Sequence, residues 1–164
     1  MYHIIAAIVV TVVAASPAIA QDVVRHADLT YSQAGDVELK LNLTRPAGDG
    51  PFPVVVFIHG GGWYLGNRLG YQSETQEANS RGYAAVTISY RLMTFDESQK
   101  ETTTADTIFP AQIHDAKAAI RWLRANADLY HLDPDRIGVT GRSAGGHLSL
   151  LLGLTDPASD LEGA

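Results

Sequence analysis

Thr140-Gly141-Arg142-Ser143-Ala144-Gly145-Gly146-His147-Leu148 is the stretch on which the fold turns. Before it, Arg136 to Thr140 reads as a short strand. After it, Ala144 to Leu154 reads as an apolar, leucine-rich helix. Between the two, Gly141-Arg142-Ser143-Ala144-Gly145 fits the pattern G-x-S-x-G. A serine on a sharp strand-to-helix turn leaves no room for side chains two residues to either side, which is why glycine stands there. Its hydroxyl is thereby raised at the head of a helix, where free N–H groups and the helix dipole favour a developing anion.

A second glycine cluster lies upstream, His59-Gly60-Gly61-Gly62-Trp63, directly after the apolar run Val54 to Ile58. Three successive glycines let backbone N–H groups turn toward a substrate oxygen that side chains would otherwise shield. Two phosphate-binding readings of this cluster fail. The dinucleotide pattern G-x-G-x-x-G needs a third glycine where Leu65 stands, and the Walker loop needs Lys-Ser/Thr where Asn67-Arg68 stands.

Val37, Leu39, Leu41 and Leu43 alternate with Glu38, Lys40, Asn42 and Thr44, the period-2 signature of a strand with one wet face, suited to an antiparallel position near a sheet edge. The runs Val54–Ile58 and Tyr83–Tyr90 are continuously apolar or β-branched and belong in a parallel sheet covered on both faces. Helices are predicted over roughly Tyr71 to Ser80 and Pro110 to Ala127. In the second, Ile113, Ala116, Ile120, Leu123 and Ala127 form one stripe, and His114, Lys117, Arg121 and Arg124 another, so His114 is expected to face solvent. Pro110 is placed at the first helical position, and Asp133-Pro134-Asp135 in a turn. The order is two leading strands and then β-α-β-α-β-α, which predicts an α/β doubly wound sheet with its site at the carboxyl ends of the parallel strands. The polar stretch Met93 to Ile108 is read as a loop leaving such a strand end, so it could border that site.

The chain has 164 residues, 46% hydrophobic and 18% charged, with a net charge of −6 and no cysteine. The acidic balance and the lack of a Lys/Arg cluster exclude nucleic acid as the expected partner. Without cysteine there is no thiol nucleophile, disulfide or thiolate metal site. Ile4 to Ala15 is apolar apart from Thr11, too short to span a bilayer, and Ala18-Ile19-Ala20 gives a small-residue cleavage site. Residues 1–20 are therefore expected to be a secretory signal, leaving residues 21–164 as the folded part, secreted or periplasmic, with no stable membrane span.

His59-Gly60-Gly61-Gly62-Trp63, Arg81-Gly82-Tyr83 with Ser89-Tyr90-Arg91-Leu92, Phe109-Pro110-Ala111-Gln112, Asp133-Pro134-Asp135-Arg136-Ile137 and Gly141 to His147 occur in this order. Together they resemble the α/β-hydrolase superfamily, and within it the hormone-sensitive-lipase-like carboxylesterases and the related bacterial feruloyl or acetyl-xylan esterase-like group. The resemblance implies a serine carboxylesterase with Ser143 as nucleophile. Gly61, Gly62 and Ala144 would supply oxyanion N–H groups, His59 would support the oxyanion loop, and neither metal nor cofactor would be needed. Arg142 stands where the lipase-like branch commonly has Asp, which favours the polysaccharide-esterase-like group. Trp63, Tyr64 and Tyr71 could line a pocket for a small-molecule or carbohydrate-linked ester, or simply pack.

A serine hydroxyl needs a histidine base, and that histidine a carboxylate. In this fold both follow the serine, yet the last histidine is His147, fixed on the serine's own helix. His131, Asp133 and Asp135 fall at the wrong end of the sheet. Asp96, Glu97 and Asp106 precede the serine, and Asp156, Asp160 and Glu162 follow its helix without the later strand end that would present an acid. The chain is thus expected to stop after the nucleophile helix, short of the acid and base. Residues 21–164 alone are expected to be poorly soluble and inactive. Two alternatives stay open, an amide or peptide hydrolase of the same fold and a non-catalytic binding module. The oligomeric state is left undetermined.

Overall fold

The computed structural model describes residues 22–96, 101–102 and 107–163. The predicted signal segment, and with it Glu97 and Asp106, lies outside the described residues. Chain order is β1 (Val23–Ala34), β2 (Val37–Pro46), β3 (Phe52–Ile58), a 3-10 turn (Arg68–Tyr71), α1 (Gln72–Ser80) and β4 (Ala84–Ile88). A two-residue hairpin, β5 (Phe95–Asp96) and β6 (Glu101–Thr102), precedes α2 (Ala111–Ala125), α3 (Ala127–Tyr130), β7 (Leu132–Gly141) and α4 (Ala144–Leu154).

Five strands form one sheet in the order β1-β2-β4-β3-β7, the first two antiparallel to their neighbours and the last three mutually parallel. Alternation along the strands divides the core between two faces. Leu39, Leu41 and Leu43 of β2, Val54, Val56 and Ile58 of β3, and Val86 and Ile88 of β4 meet Ile113, Ala116 and Leu123 of α2 and Leu148 of α4. On the other face Phe57 and Ala85 pack with Tyr71 and Ala78 of α1. Helices thus cover both sides, and the doubly wound α/β architecture expected from the sequence is the one observed. The residues on β2 meant to be wet are half-buried or exposed, and β2 sits one strand in from the β1 edge.

The two faces of β3 and β4 explain why their sequences read as unbroken apolar runs: side chains of both parities are buried, as in any parallel strand flanked by helices. The carboxyl ends of β3, β4 and β7 point the same way, so the chain leaving each of them arrives on one rim. On that rim stand His59 after β3, Ser89 after β4 and Arg142 after β7.

Several local expectations are corrected. Asp133, Pro134 and Asp135 lie inside β7 as a bulge, because the pairing jumps from Phe52↔Leu132 to Val54↔Ile137. The turn chemistry survives within the bulge, where the Asp135 amide donates to Asp133 Oδ1 at 3.0 Å and Arg136 Nε to Oδ2 at 2.6 Å. The hydrogen bond from Arg136 is the main cause that holds the Asp133 carboxyl below its ordinary pKa. Pro110 is the residue before the first helical position of α2, its carbonyl accepting from the amides of Ile113 and His114 at 3.1 Å. Tyr71 closes the 3-10 turn ahead of α1. The stripe of His114 and Lys117 does not face water: Lys117 is buried and paired with Glu162, and His114 is half-buried beside Gly163 with Nε2 sealed from solvent. The segment after α4 folds back on α2, where the Glu162 carbonyl also accepts from Arg121 Nη1 at 2.8 Å.

Leu41 is fully buried between β1 and β4, so Leu41→Ala should lower the unfolding free energy by about 2–5 kcal/mol in urea titration. Leu69→Ala, at a side chain 66% exposed, should change it by less than about 0.5 kcal/mol.

Candidate active site

Ser143 stands between β7 and α4 with φ 50° and ψ −118°, an exposed residue in a backbone conformation that L-amino acids seldom adopt. Such a conformation costs about 1–3 kcal/mol and persists only where the surroundings impose it. Here they do. The carbonyl of Ser143 accepts from the His147 amide at 3.0 Å and that of Arg142 from the Gly145 amide at 2.9 Å, which locks the first turn of α4. Gly145 lies against the end of β3 so closely that a Cβ there would be 2.0 Å from the Ile58 carbonyl oxygen and 2.7 Å from that of His59.

The loop after β3 abuts the same turn from the other side. A Cβ on Gly60 would meet the Arg142 carbonyl at 2.7 Å and the Ser143 Cβ at 3.3 Å. Gly61 and Gly62 take φ 122° and 58°, and the Gly61 carbonyl is held within the loop by the amides of Tyr64 at 3.1 Å and Leu65 at 2.9 Å. The amides of Gly61, Gly62 and Ala144 find no acceptor among the described residues. The two glycine clusters predicted to act together are therefore brought into contact, through Gly60 against Arg142 and Ser143 and through Gly145 against Ile58 and His59.

His59 is buried, its ring stacked on Tyr90 with centroids 4.3 Å apart. Its Nδ1 is 2.8 Å from the Gly60 carbonyl, so Nδ1 carries the proton and donates. Burial pushes its pKa below the ordinary value, an effect only partly offset by the bond to Gly60. Its Nδ1 bond ties the ring to its own loop, and among the described residues no hydrogen bond joins it to the Ser143 hydroxyl. The Tyr90 hydroxyl donates to the His59 carbonyl at 3.0 Å, and burial pushes its pKa up to about 12. Tyr71, also buried, donates to the Ile58 carbonyl at 2.9 Å. It is thus a structural residue, although its ring helps to line the cleft.

That cleft, about 320 Å³, is bounded by His59, Gly60, Gly70, Tyr71, Arg142 and Ser143. Arg142 lies over the Tyr71 ring at 5.3 Å and binds Glu74 of α1 at 2.7 Å. The Glu74 carboxyl is held below its ordinary pKa, chiefly by the hydroxyl of Ser73 and its own backbone amide, with Arg142 a smaller contributor. Trp63, half-buried at φ 65°, meets the exposed His147 edge-on at 5.4 Å, and Tyr64 is 40% exposed.

No histidine is hydrogen-bonded to the Ser143 hydroxyl among the described residues. His131 binds the Asp49 carbonyl at 2.9 Å at the amino end of β3, and His26 packs edge-on against Tyr130. The sequence shows Arg91 only as part of the Ser89–Leu92 motif and gives Asp115 no role, yet the half-buried Arg91 pairs with the buried Asp115 near this rim. The signal available was only an acid within a predicted helix and an arginine after a predicted strand.

Residues 41–164 match the family model BD-FAE. Esterase LipC of Mycobacterium tuberculosis is 39% identical over 116 residues, 68% of this chain and 26% of that protein. Among solved structures, the thermophilic esterase Est2 of Thermogutta terrifontis superposes with a TM-score of 0.63 at 29% identity, covering 86% of this chain and 48% of that one. A truncated form of a carbohydrate esterase from gut microbiota gives 0.69 at 28% identity, covering 88% and 51%. The chain spans between a quarter and a half of the length of these relatives, which are α/β-hydrolase esterases.

Because protonation of His59 is opposed by burial, the unfolded chain binds that proton more readily than the folded one. Stability should fall as pH drops below about 6.5. In urea titrations between pH 7 and 5, His59→Gln should show a shallower loss than the unaltered protein. Gly145→Ala, whose Cβ would collide with backbone, should abolish the cooperative unfolding transition seen by circular dichroism.

Proposed function

Since this chain belongs to the BD-FAE family and has the α/β-hydrolase fold, we propose that its protein hydrolyses carboxylic esters through an acyl-enzyme on Ser143. The contact between the glycine loop and the serine turn carries this reading. Ser143 Oγ attacks the ester carbonyl, the oxygen of the tetrahedral intermediate takes hydrogen bonds from the amides of Gly61, Gly62 and Ala144, the alcohol departs, and water releases the acid. These donors are fixed before substrate arrives, so they need no reorganisation when charge develops.

The reaction also requires a base and its orienting carboxylate, which the described residues do not bring to Ser143. In this fold they follow the serine in the order acid, then histidine. His147 does not substitute for them: it is one helical turn from Ser143 and packs on Trp63. The substrate is a small ester, and Trp63 and Tyr64 beside the cleft, with the carbohydrate esterase among the structural relatives, support an ester carried on a sugar. The apolar leader at residues 1–20 supports export from the cytoplasm.

A fluorophosphonate probe should label the full-length protein that supplies the acid and histidine, and Ser143→Ala should remove the label. Ester turnover should drop by about 10⁴-fold or more in that variant. Labelling without ester turnover, but with cleavage of aminoacyl p-nitroanilides, would point to the amidase alternative, and absence of labelling to a binding module.

A further inference from the structure

Trp63 holds a left-handed backbone at φ 65° within the glycine loop, and a β-carbon does not favour that conformation. Its carbonyl accepts a hydrogen bond of 2.8 Å from the Met93 amide, a donor outside the loop. Met93 belongs to the segment that leaves β4, and two residues earlier that segment is fastened by Arg91. The Arg91 amide donates to Asp115 Oδ2 at 2.8 Å, its Nε to Oδ2 at 2.9 Å and Oδ1 at 3.1 Å, and its Nη2 to Oδ1 at 2.7 Å. A further bond runs from Nη2 to the Ala111 carbonyl at 3.3 Å.

Asp115 is 3% exposed. A buried ion pair loses in desolvation much of what it gains in attraction, and an apolar pair of like volume often serves stability as well. What a forked arrangement of hydrogen bonds from the amide, Nε and Nη2 supplies that packing does not is a fixed direction for the main chain. Tyr31 completes the enclosure: its hydroxyl donates to the Ser89 carbonyl at 2.6 Å, on the same strand exit.

We infer that Asp115 and Arg91 are positioning residues for the oxyanion loop. The pair fixes the Arg91 to Met93 segment, the Met93 amide then holds the Trp63 carbonyl, and the left-handed turn so imposed keeps the Gly61 and Gly62 amides directed to Ser143. The last link rests on the reading of Ser143 as nucleophile. Neither residue touches substrate, and their action is through the loop alone.

Hydrogen–deuterium exchange of the full chain separates this role from simple stabilisation. Asp115→Asn should raise early uptake in the peptide covering residues 60–66 several-fold. Leu123→Ala, a cavity on the same helix, should leave that peptide unchanged under conditions where the two variants have lost equal melting temperature. Arg91→Lys, which keeps charge but removes the fork, should repeat the effect of Asp115→Asn and serves as the test if that variant does not fold. In parallel, in the full-length protein that supplies the acid and histidine, fluorophosphonate labelling of Ser143 should slow by about tenfold or more with either polar variant and not with Leu123→Ala. Equal uptake at 60–66 in the polar and cavity variants overturns the inference, as does a loosened loop with unchanged labelling. If the unaltered full-length protein takes no label, the ester-hydrolase reading fails, and the exchange comparison alone decides whether the pair holds the loop.

Discussion

The end of β3 and the first turn of α4 touch backbone to backbone, and the site depends on that approach. A missing β-carbon at Gly145 lets the helix rest on the carbonyls of Ile58 and His59. One contact therefore sets two things together: the height of Ser143 above the sheet and the place where the chain turns out of β3 into the glycine loop. Since β3 lies between β4 and β7, both flanking strands hold it in register, and the contact point cannot drift without breaking parallel pairing on either side.

Around this junction, the polar groups are arranged so that each carbonyl at the strand end has a fixed donor. Tyr71 serves Ile58 from one face of the sheet and Tyr90 serves His59 from the other strand's exit. A phenol whose pKa is pushed up to about 12 remains a donor throughout the neutral range. His59, whose pKa burial lowers, adds a bond within the loop beside the serine turn. On the outer side, Arg142 is turned away to Glu74 and the Tyr71 ring, so the charge next to Ser143 in sequence is neutralised by α1.

Most of this was legible in the sequence because glycines and unbroken apolar runs report backbone constraints directly. Gly60, Gly61, Gly62, Gly141 and Gly145 announced a crowded junction, and Val54 to Ile58 announced a strand buried on both faces. The bulge at Asp133 to Arg136 was read as a turn because its local chemistry is that of a turn; only the pairing with β3 shows it lying within a strand. The helical stripe of His114 and Lys117 misled for a different reason. A polar stripe predicts solvent when nothing else covers it, and here the segment around Glu162 folds back upon it. The Arg91–Asp115 pair, 24 residues apart in sequence, has no periodicity or spacing to reveal it, since its meaning lies in tertiary contact.

Trp63 offers a last consequence. At φ 65° glycine would sit without strain, and the three preceding positions are glycine, yet the largest side chain occupies the strained one. The loop is consequently stiff in a way that backbone permissiveness could not make it: its shape is dictated by an indole lodged against His147 and by a carbonyl tethered to Met93. Rigidity in the glycine loop and the lining of the cleft's approach then reside in one residue, so variation in what the cleft admits is coupled to how firmly that loop is held.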